Sequence, residues 1–344
     1  MIHIEPRHLA IVQKALKKHD YSFFVFGSRA KGTQKRFSDL DLLYFDAIPS
    51  NALSQIQEAF EESELPFTVD LVHYDSCDAN FKQCMGGQYL CLKTSEKLKR
   101  LEDNLLEHFS FFQKKMGLIV KTFGQATTFY SGLGSTAFNI AYGNPQPPHL
   151  KAIDSIQQEF NGQPFAWWVP LSQHDQKFTR DLLKAGFAAT STEHAMALEL
   201  PSSPTLERAT ALGIQPVLDA DGLEAFIKVI EAYDPSARKF YKYIQSKDLQ
   251  SSERLFVGYI DEEPVTIGSL VLTDKTAGIY NLITKKPTQR QGYGSDMMRH
   301  LLHTATSMGC TLATLIASND AGFRIYERSG FKKIGEIECL EFKH

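Results

Sequence analysis

No two of the five cysteines in this 344-residue chain (Cys77, Cys84, Cys91, Cys310, Cys339) form a CxxC pair, and the odd count leaves no complete disulfide framework. The seven-residue spacing of the first three would set them along one helical face, and buried reduced thiols are expected there rather than a metal cluster. Long apolar runs are equally missing. None approaches the roughly 20 residues that span a bilayer, and the first residues do not read as a signal peptide. No membrane partner is therefore expected, and the expected location is cytoplasmic. A large excess of one charge is absent too. With 37 Lys and Arg against 40 Asp and Glu, the formal charge of -3 gives no global attraction to nucleic acid, so a nucleic-acid partner is not expected.

What the sequence does have is apolar material for folded cores, at 43% with 22% charged residues, and a length beyond what one core serves. Two or three domains are expected. The most informative stretch is Gln289-Arg290-Gln291-Gly292-Tyr293-Gly294. Residues 278–284 before it read as a largely buried strand, and after it Met297, Met298, Leu301, Leu302, Ala305 and Met308 recur at helical spacing. A glycine-rich turn between a strand and a helix lets the main chain approach a ligand, and its free N–H groups favour an anion such as a pyrophosphate. A phosphorylated cofactor is the expectation there.

A second such turn lies near the start. Residues 6–19 suit a short amphipathic helix and residues 21–26 a strand, which runs into Gly27-Ser28-Arg29-Ala30-Lys31-Gly32. On the next predicted strand, 37–45, Asp39 and Asp41 are two apart and so share a face, with Leu40 and Leu42 on the other. Asp70 sits on a further predicted strand, 67–72, after a helix over 53–62. Carboxylates gathered on one face repel one another unless a cation lies among them, and hard oxygen ligands suit a divalent ion. Gly27 to Gly32 together with Ser38-Asp39-Leu40-Asp41 resembles the minimal nucleotidyltransferases of the DNA polymerase beta-like superfamily, over roughly residues 1–95. The resemblance implies that Gly27, Ser28 and Arg29 hold an NTP, most naturally ATP, and that Asp39, Asp41 and Asp70 bind magnesium and carry the catalysis. Lys31 stands where that family often has arginine, keeping the charge without the fork geometry.

Residues 93–116 read as one long helix with a stripe of Leu98, Leu101, Leu105, Phe109 and Phe112, a packing surface that ties the first domain to the rest. Residues 122–144 read as a pair of strands closed by the turn at 131–134. A helix over 150–160, a strand over 164–169, a helix over 175–185 and a strand over 195–200 follow, and Trp167 and Trp168 are expected in the core. This middle stretch lacks a glycine-rich phosphate turn and a carboxylate or histidine cluster. Residues 201–204 read as a linker.

From 218 onward the order is helix, strand, strand, strand, phosphate turn, helix, strand, helix, strand. Gln289-x-x-Gly292-x-Gly294, followed at the right distance by Tyr326-x-x-x-Gly330-Phe331, resembles the GNAT superfamily of acyl-CoA-dependent N-acetyltransferases. Trp167-Trp168, Gly186-Phe187 and residues 196–198 are similar to the degenerate N-terminal half that accompanies some GNAT domains. Pro287 lies two residues before Gln289, where the family more often places it three before. The resemblance implies that acetyl-CoA is held by Leu282, Ile283 and Thr284 of the strand and by Gln289, Arg290, Gln291, Gly292, Tyr293, Gly294 and Ser295 of the turn. It also implies that Tyr326 protonates the departing thiolate. No carboxylate lies on the 279–284 strand, so the general base is not evident.

The expected fold is α+β: a nucleotidyltransferase-like mixed sheet with helices (1–95), a linking helix (96–116), a degenerate GNAT-like half (117–205), and a GNAT central mixed sheet flanked by helices (206–344). The expected enzyme is bifunctional, acetylating a small-molecule or protein amine and transferring a nucleoside monophosphate, with a protein among the expected acceptors. The alternative makes the first domain a non-catalytic nucleotide-sensing or partner-binding module that regulates the acetyltransferase.

Overall fold

The computed structural model describes residues 2–85, 88–115, 118–145, 147–203, 210–242, 244, 249 and 252–342. Two of the expected boundaries, at 116/117 and 205/206, fall outside these. The first unit contains α1 (Pro6–Leu16), β1 (Phe23–Phe26), α2 (Ser28–Lys31), β2 (Leu40–Tyr44), α3 (Ser50–Glu61), β3 (Val69–His73), α4 (Ala79–Met85) and β4 (Leu90–Lys93). Its sheet runs β3-β2-β1-β4, with β2 and β3 parallel and the other pairs antiparallel. All four residues of β1 are buried, as a Phe-Phe-Val-Phe strand covered on both faces requires. One face, with Phe23, Val25, Leu40 and Leu42, packs on Val12 and Leu16 of α1 and Ile56 and Phe60 of α3. The other face, with Phe24, Phe26, Leu43 and Phe45, enters a core shared with the remainder of the chain. Cys77, Cys84 and Cys91 fall after β3, in α4 and in β4, so their regular spacing is not one helical face.

After α5 (Glu96–Lys115) come β5 (Ile119–Phe123), β6 (Ala126–Tyr130), β7 (Ile140–Tyr142), α6 (His149–Glu159), β8 (Phe165–Val169), α7 (Gln176–Lys184) and β9 (Ala188–Glu199). The last segment holds β10 (Gly213–Pro216), α8 (Ala220–Ile230), α9 (Ser236–Tyr241), β11 (Glu253–Ile260), β12 (Glu263–Thr273), β13 (Thr276–Thr284), α10 (Tyr293–Ser307), β14 (Leu312–Ala317), α11 (Asp320–Arg328) and β15 (Lys332–Phe342). The hairpin tip at 124–125 and strand β5 escape the sequence reading, because the alternation over 119–123 is broken by Lys121 and Thr122. The expected pairing does appear, between β6 and β7.

These strands form one 11-stranded sheet, ordered β10-β11-β12-β13-β14-β9-β15-β8-β7-β6-β5. From β11 onward the order is a palindrome in topology. Each half has three antiparallel strands, a helix, a parallel strand, a second helix and a last strand, and the two last strands are exchanged. β9, from the first half, pairs with β14 of the second, while β15 pairs with β8 of the first. The two exchanged strands pair with each other at the centre. A division at 205/206 thus separates two repeats in sequence without separating two sheets. The first repeat has filled its interior: Phe160, Phe165, Trp167, Phe178 and Phe187 form a closed aromatic core.

Helix α5 is more than a linker. Leu98, Leu101 and Leu105 are buried in the core that joins Phe24 and Leu43 of the small sheet to Ile140, Ala195 and Ile337 of the large one. Burial of a leucine contributes about 1.5–3 kcal/mol. Orientation comes from polar groups. Asn104, fully buried, donates to the Val271 carbonyl (2.9 Å) and Thr273 Oγ1 (2.8 Å) and accepts from Tyr280 Oη (2.8 Å). Arg100 reaches the Lys275 carbonyl (2.6 Å) and Thr276 Oγ1 (2.8 Å), while Glu102 accepts from the Ser172 amide (2.9 Å). Space for Asn104 exists because residue 278 is glycine: a Cβ there would lie 1.8 Å from Asn104 Oδ1.

The small sheet docks on the large one through buried charge. His174 stacks on Tyr89 (4.5 Å) and donates from Nδ1 to its carbonyl (2.9 Å), with Nε2 3.4 Å from Glu338. Lys333 Nζ lies 3.0 Å from Asp75 and 2.8 Å from Glu336. Burial pushes the Glu336 carboxyl up, but hydrogen bonds from His194, Lys333 and Tyr74 and the Lys333 charge outweigh it and hold the group at about 2.

Two outcomes are expected. Gly278→Ala should destabilise the protein by about 1–3 kcal/mol in denaturant unfolding, as overpacking against a buried polar group does, and a neutral Gly278→Ala would contradict the Asn104 contact. Glu336 contributes stability that is complete above its ordinary value near 4.5 and is lost as pH falls toward about 2. Thermal melting from pH 5 down to 2.5 should therefore fall more steeply for wild type than for Glu336→Gln, and parallel curves would remove this role.

Candidate active sites

Strands β13 and β14 are paired only over Thr276–Gly278 and Leu312–Thr314 and then separate. β13 carries a bulge opposite β12, between Ser269↔Tyr280 and Ile267↔Ile283, where Asn281 adopts φ 54°. A bulge takes backbone groups out of the ladder and re-aims them. A cavity of about 750 Å³ opens at this splay. Leu282, Ile283 and Thr284 line it from β13, Gln289, Arg290, Gly292, Tyr293, Gly294 and Ser295 from the turn and α10, and Tyr326 from α11. Gln291 does not line it, and its Oε1 accepts instead from Tyr293 Oη (3.0 Å). Gly292 is the N-cap of α10 at φ 90°, a conformation that favours glycine. The first bonds inside this helix end are those of Ser295 and Asp296 to the Gly292 carbonyl, so the preceding amides belong to its unpaired first turn.

The Gln289 side chain braces the turn, donating to the Thr284 carbonyl (2.9 Å) and Tyr233 Oη (3.1 Å). Tyr233, which itself donates to the Thr284 carbonyl (2.6 Å), also lines the cavity. Nothing in the sequence marked it, since it lies beyond the end of an amphipathic helix far from the turn. Burial pushes the Tyr326 phenol up to about 12, so it keeps its proton at neutral pH.

A second cavity, of about 560 Å³, lies on the other side of the splay and shares Leu282, Ile283, Asn319 and Tyr326 with the first. Its further walls include Leu105, His108 and Phe109 of α5, Trp168 of β8 and Glu193 of β9. The two tryptophans therefore part company. Trp167 is fully buried with Nε1 donating to the Gly143 carbonyl (2.8 Å), as expected of a core residue, whereas Trp168 faces the cavity. Glu193, His108 and Trp168 come from three segments distant in sequence, which is why no local motif announced this site.

In the first unit, parallel pairing sets Asp41 directly beside Asp70, and Phe26, the residue before Gly27, opposite Asp41. Burial, followed by the charges of Asp70 and Asp39, raises the Asp41 carboxyl above the ordinary range. By strand alternation Asp41 lies on the face of Leu43 and Phe45, and Asp70 on that of Val72 and Tyr74, which is the face turned to the larger unit. Gly27, at φ 69°, lets the turn pass Asp41: a Cβ there would meet Asp41 Oδ2 at 2.3 Å. Asp39 is exposed and accepts a hydrogen bond from Thr68 Oγ1. Arg29 turns inward. It is buried over the Phe67 ring (3.9 Å), and its guanidinium donates to the carbonyls of Ser38 (2.6 Å), Asp39 (3.1 Å) and His3 (3.3 Å). Its geometry is that of a brace for the 38–39 segment.

Among the described residues no group of three or more acidic, histidine or cysteine side chains is arranged as a complete metal cage. Asp41 and Asp70 still fit magnesium, which is commonly held by one or two carboxylates together with substrate phosphates and water. None of Gly27, Ser28, Asp39, Asp41 or Asp70 lines either cavity of the larger unit.

Comparison with known proteins places both units. The model of the acetyltransferase (GNAT) family matches residues 221–331, and that of the polymerase beta nucleotidyltransferases matches residues 12–96. The chain is 37% identical over 98 residues to the probable protein adenylyltransferase MntA of Haemophilus influenzae, covering 27% of this chain and 86% of that protein. It is 36% identical over 92 residues to the uncharacterized N-acetyltransferase CgeE of Bacillus subtilis, covering 25% of this chain but 36% of that protein. In fold it is similar to a GCN5-related N-acetyltransferase from Kribbella flavida (TM-score 0.56, 16% identity, 72% of this chain and 95% of the other). It is also similar to a functionally unknown conserved protein from Staphylococcus epidermidis (TM-score 0.52, 17% identity, 69% and 99%). The chain is thus a transferase that belongs to the polymerase beta nucleotidyltransferases by its N-terminal unit and carries a GNAT acetyltransferase domain at its C-terminus.

Proposed function

We propose that the C-terminal unit acetylates a primary amine from acetyl-CoA, and that the N-terminal unit transfers a nucleoside monophosphate from an NTP, with ATP and magnesium as the expected pair. The observation that carries the first reading is the meeting of two cavities at Leu282, Ile283 and Tyr326, one leading to the glycine turn and one leading away from it. A long phosphorylated donor and a separate acceptor need that geometry. The amides at 292–294 are suited to a pyrophosphate, and the backbone of Leu282 to Thr284 to a pantetheine arm. Acetyl-CoA, when bound, supplies a thioester carbonyl. Tyr326 keeps its proton at neutral pH and lines both cavities, which suits it to protonate a departing sulfur.

In the N-terminal unit, the juxtaposed Asp41 and Asp70 with Asp39 nearby support a divalent cation, which would offset the charge of a triphosphate. The relative named as a probable protein adenylyltransferase supports a protein acceptor. A second reading, a nucleotide-sensing module that regulates the acetyltransferase, is favoured by the core that the two units share through α5.

Tyr326→Phe should retain acetyl-CoA binding in calorimetry while kcat falls about 100-fold, and Gly292→Glu should abolish the binding itself. An unchanged kcat in the first would end the acid role, and intact binding in the second would end the cradle. With labelled ATP and magnesium, wild type should transfer label to an acceptor and Asp39→Ala/Asp41→Ala should not. ATP binding by wild type alone, with equally low transfer by both, would select the sensing module.

A further inference from the structure

A third cavity, of about 400 Å³, lies where the first unit meets the larger one and shares no lining residue with the two at the splay of β13 and β14. His3, Lys31 and Tyr89 line it from the first unit, and Asp175, Lys177 and Arg180 from the start of α7. Tyr89 also stacks on His174 and so belongs to the contact that joins the units. Three of these side chains, Lys31, Lys177 and Arg180, are cations. They face one carboxylate, Asp175, which is engaged as the N-cap of α7 and accepts from the Lys177 amide (2.9 Å). All three cations are exposed, and none has a side-chain hydrogen bond or ion pair among the described residues. Elsewhere on the same seam charge is paired, as at Lys333 with Asp75 and Glu336.

Sequence and packing explain the gathering. Lys177 and Arg180 are three apart on α7 and so share a face, while Phe178 and Leu182 turn into the aromatic core of the first repeat. Lys31 ends the short helix that follows Gly27. Cations collected around a concave, low-dielectric wall focus a positive potential and concentrate anions there. Lysine meets a phosphate as a point charge and arginine meets it as a planar fork. Besides the His3 imidazole, the one aromatic ring in the walls is Tyr89, which is buried and already stacked. A nucleobase therefore finds little surface to stack on, and the cavity is matched to a chain of phosphates.

We propose that this cavity is a polyphosphate site shared by the two units, with Lys31 supplied by the first and Lys177 and Arg180 by the second. The site goes beyond nucleotidyl transfer and stands whether or not that reaction occurs. Leu90 of β4 lines the cavity and pairs with Val25 of β1, whereas Asp41 of β2 pairs with Phe26 on the other side of β1. With β1 between them, β4 and β2 stand about 10 Å apart. Two sources present the same chemistry at that separation: the distal phosphates of an NTP whose reacting phosphate sits at the carboxylates, and a separate phosphorylated ligand. Either one draws together side chains from both units, so its binding tightens the seam.

Calorimetry of the full-length protein with inorganic tripolyphosphate tests this without turnover, in saturating acetyl-CoA to fill the turn at 292–294. Wild type should bind, and more weakly as salt is raised. Lys177→Ala/Arg180→Ala should weaken binding about tenfold, and Lys31→Ala, in the other unit, should lower it independently. Lys184→Ala, on the same helix but outside the cavity, should leave it unchanged. The melting temperature should rise with tripolyphosphate in wild type and much less in the double variant, whose melt without ligand certifies its fold. ATP added first separates the sources. If ATP blocks tripolyphosphate and itself binds the double variant more weakly, the cavity takes the phosphates of the NTP, whereas tripolyphosphate binding to ATP-saturated protein identifies a second ligand. No tripolyphosphate binding by wild type, wild-type affinity in the double variant, or an equal loss in Lys184→Ala overturns the assignment.

Discussion

A single buried amide sets the frame of this protein. Asn104 is fully enclosed, and its side chain is satisfied by groups at 271, 273 and 280, all on the β12–β13 hairpin. Apolar burial drives α5 onto the sheet but is non-directional, whereas these hydrogen bonds allow one height and one rotation. A rotated helix would leave a buried carbonyl and a phenol unpaired, at a cost of about 1–3 kcal/mol each. With α5 so fixed, His108 stacks on Tyr280 at 3.8 Å, and Leu105 and Phe109 become the wall of a cavity. The same helix begins three residues after β4, so the small sheet is held from one end by the same restraint.

The exchange of β9 and β15 makes the second constraint. Neither repeat completes its own sheet, so the half without a phosphate turn cannot be lost while the other remains whole. Its interior is aromatic and closed, yet its strands β8 and β9 line the 560 Å³ cavity with Trp168 and Glu193. One repeat carries the glycine turn and the other adds wall to the cavity beside it, an arrangement that strand exchange makes geometrically possible.

The two candidate sites follow opposite electrostatic designs. In the small sheet, carboxylates are gathered until burial and mutual repulsion raise Asp41, an arrangement relieved by a cation. At the splay of β13 and β14, burial alone raises a neutral phenol, an arrangement that keeps a proton in reserve. The docking surface between the units uses paired charge instead, with His174 against Glu338 and Lys333 between Asp75 and Glu336.

Much of this was legible in residue order. Glycine at 27 and 292, the carboxylates at 39, 41 and 70, and the tyrosine at 326 are local or fixed-spacing signals, because a turn that bares its amides and a strand that alternates its faces leave short-range marks. The direction of Arg29 was not legible from its place in the turn, because a side chain's direction depends on what packs beside it, and Phe67 and three carbonyls draw it inward. The seven-residue cysteine spacing resembled a helix face because periodicity alone does not reveal that a strand begins at Leu90. What the sequence determined by itself was the two glycine turns, the acidic set and the repeated order of elements, all properties of short stretches with their own backbone preferences. The tertiary structure alone decided the strand exchange, the setting of α5 and the cavity bounded by His108, Trp168 and Glu193. These are long-range contacts, selected by the joint burial of segments far apart in the chain, and no window of residues carries them.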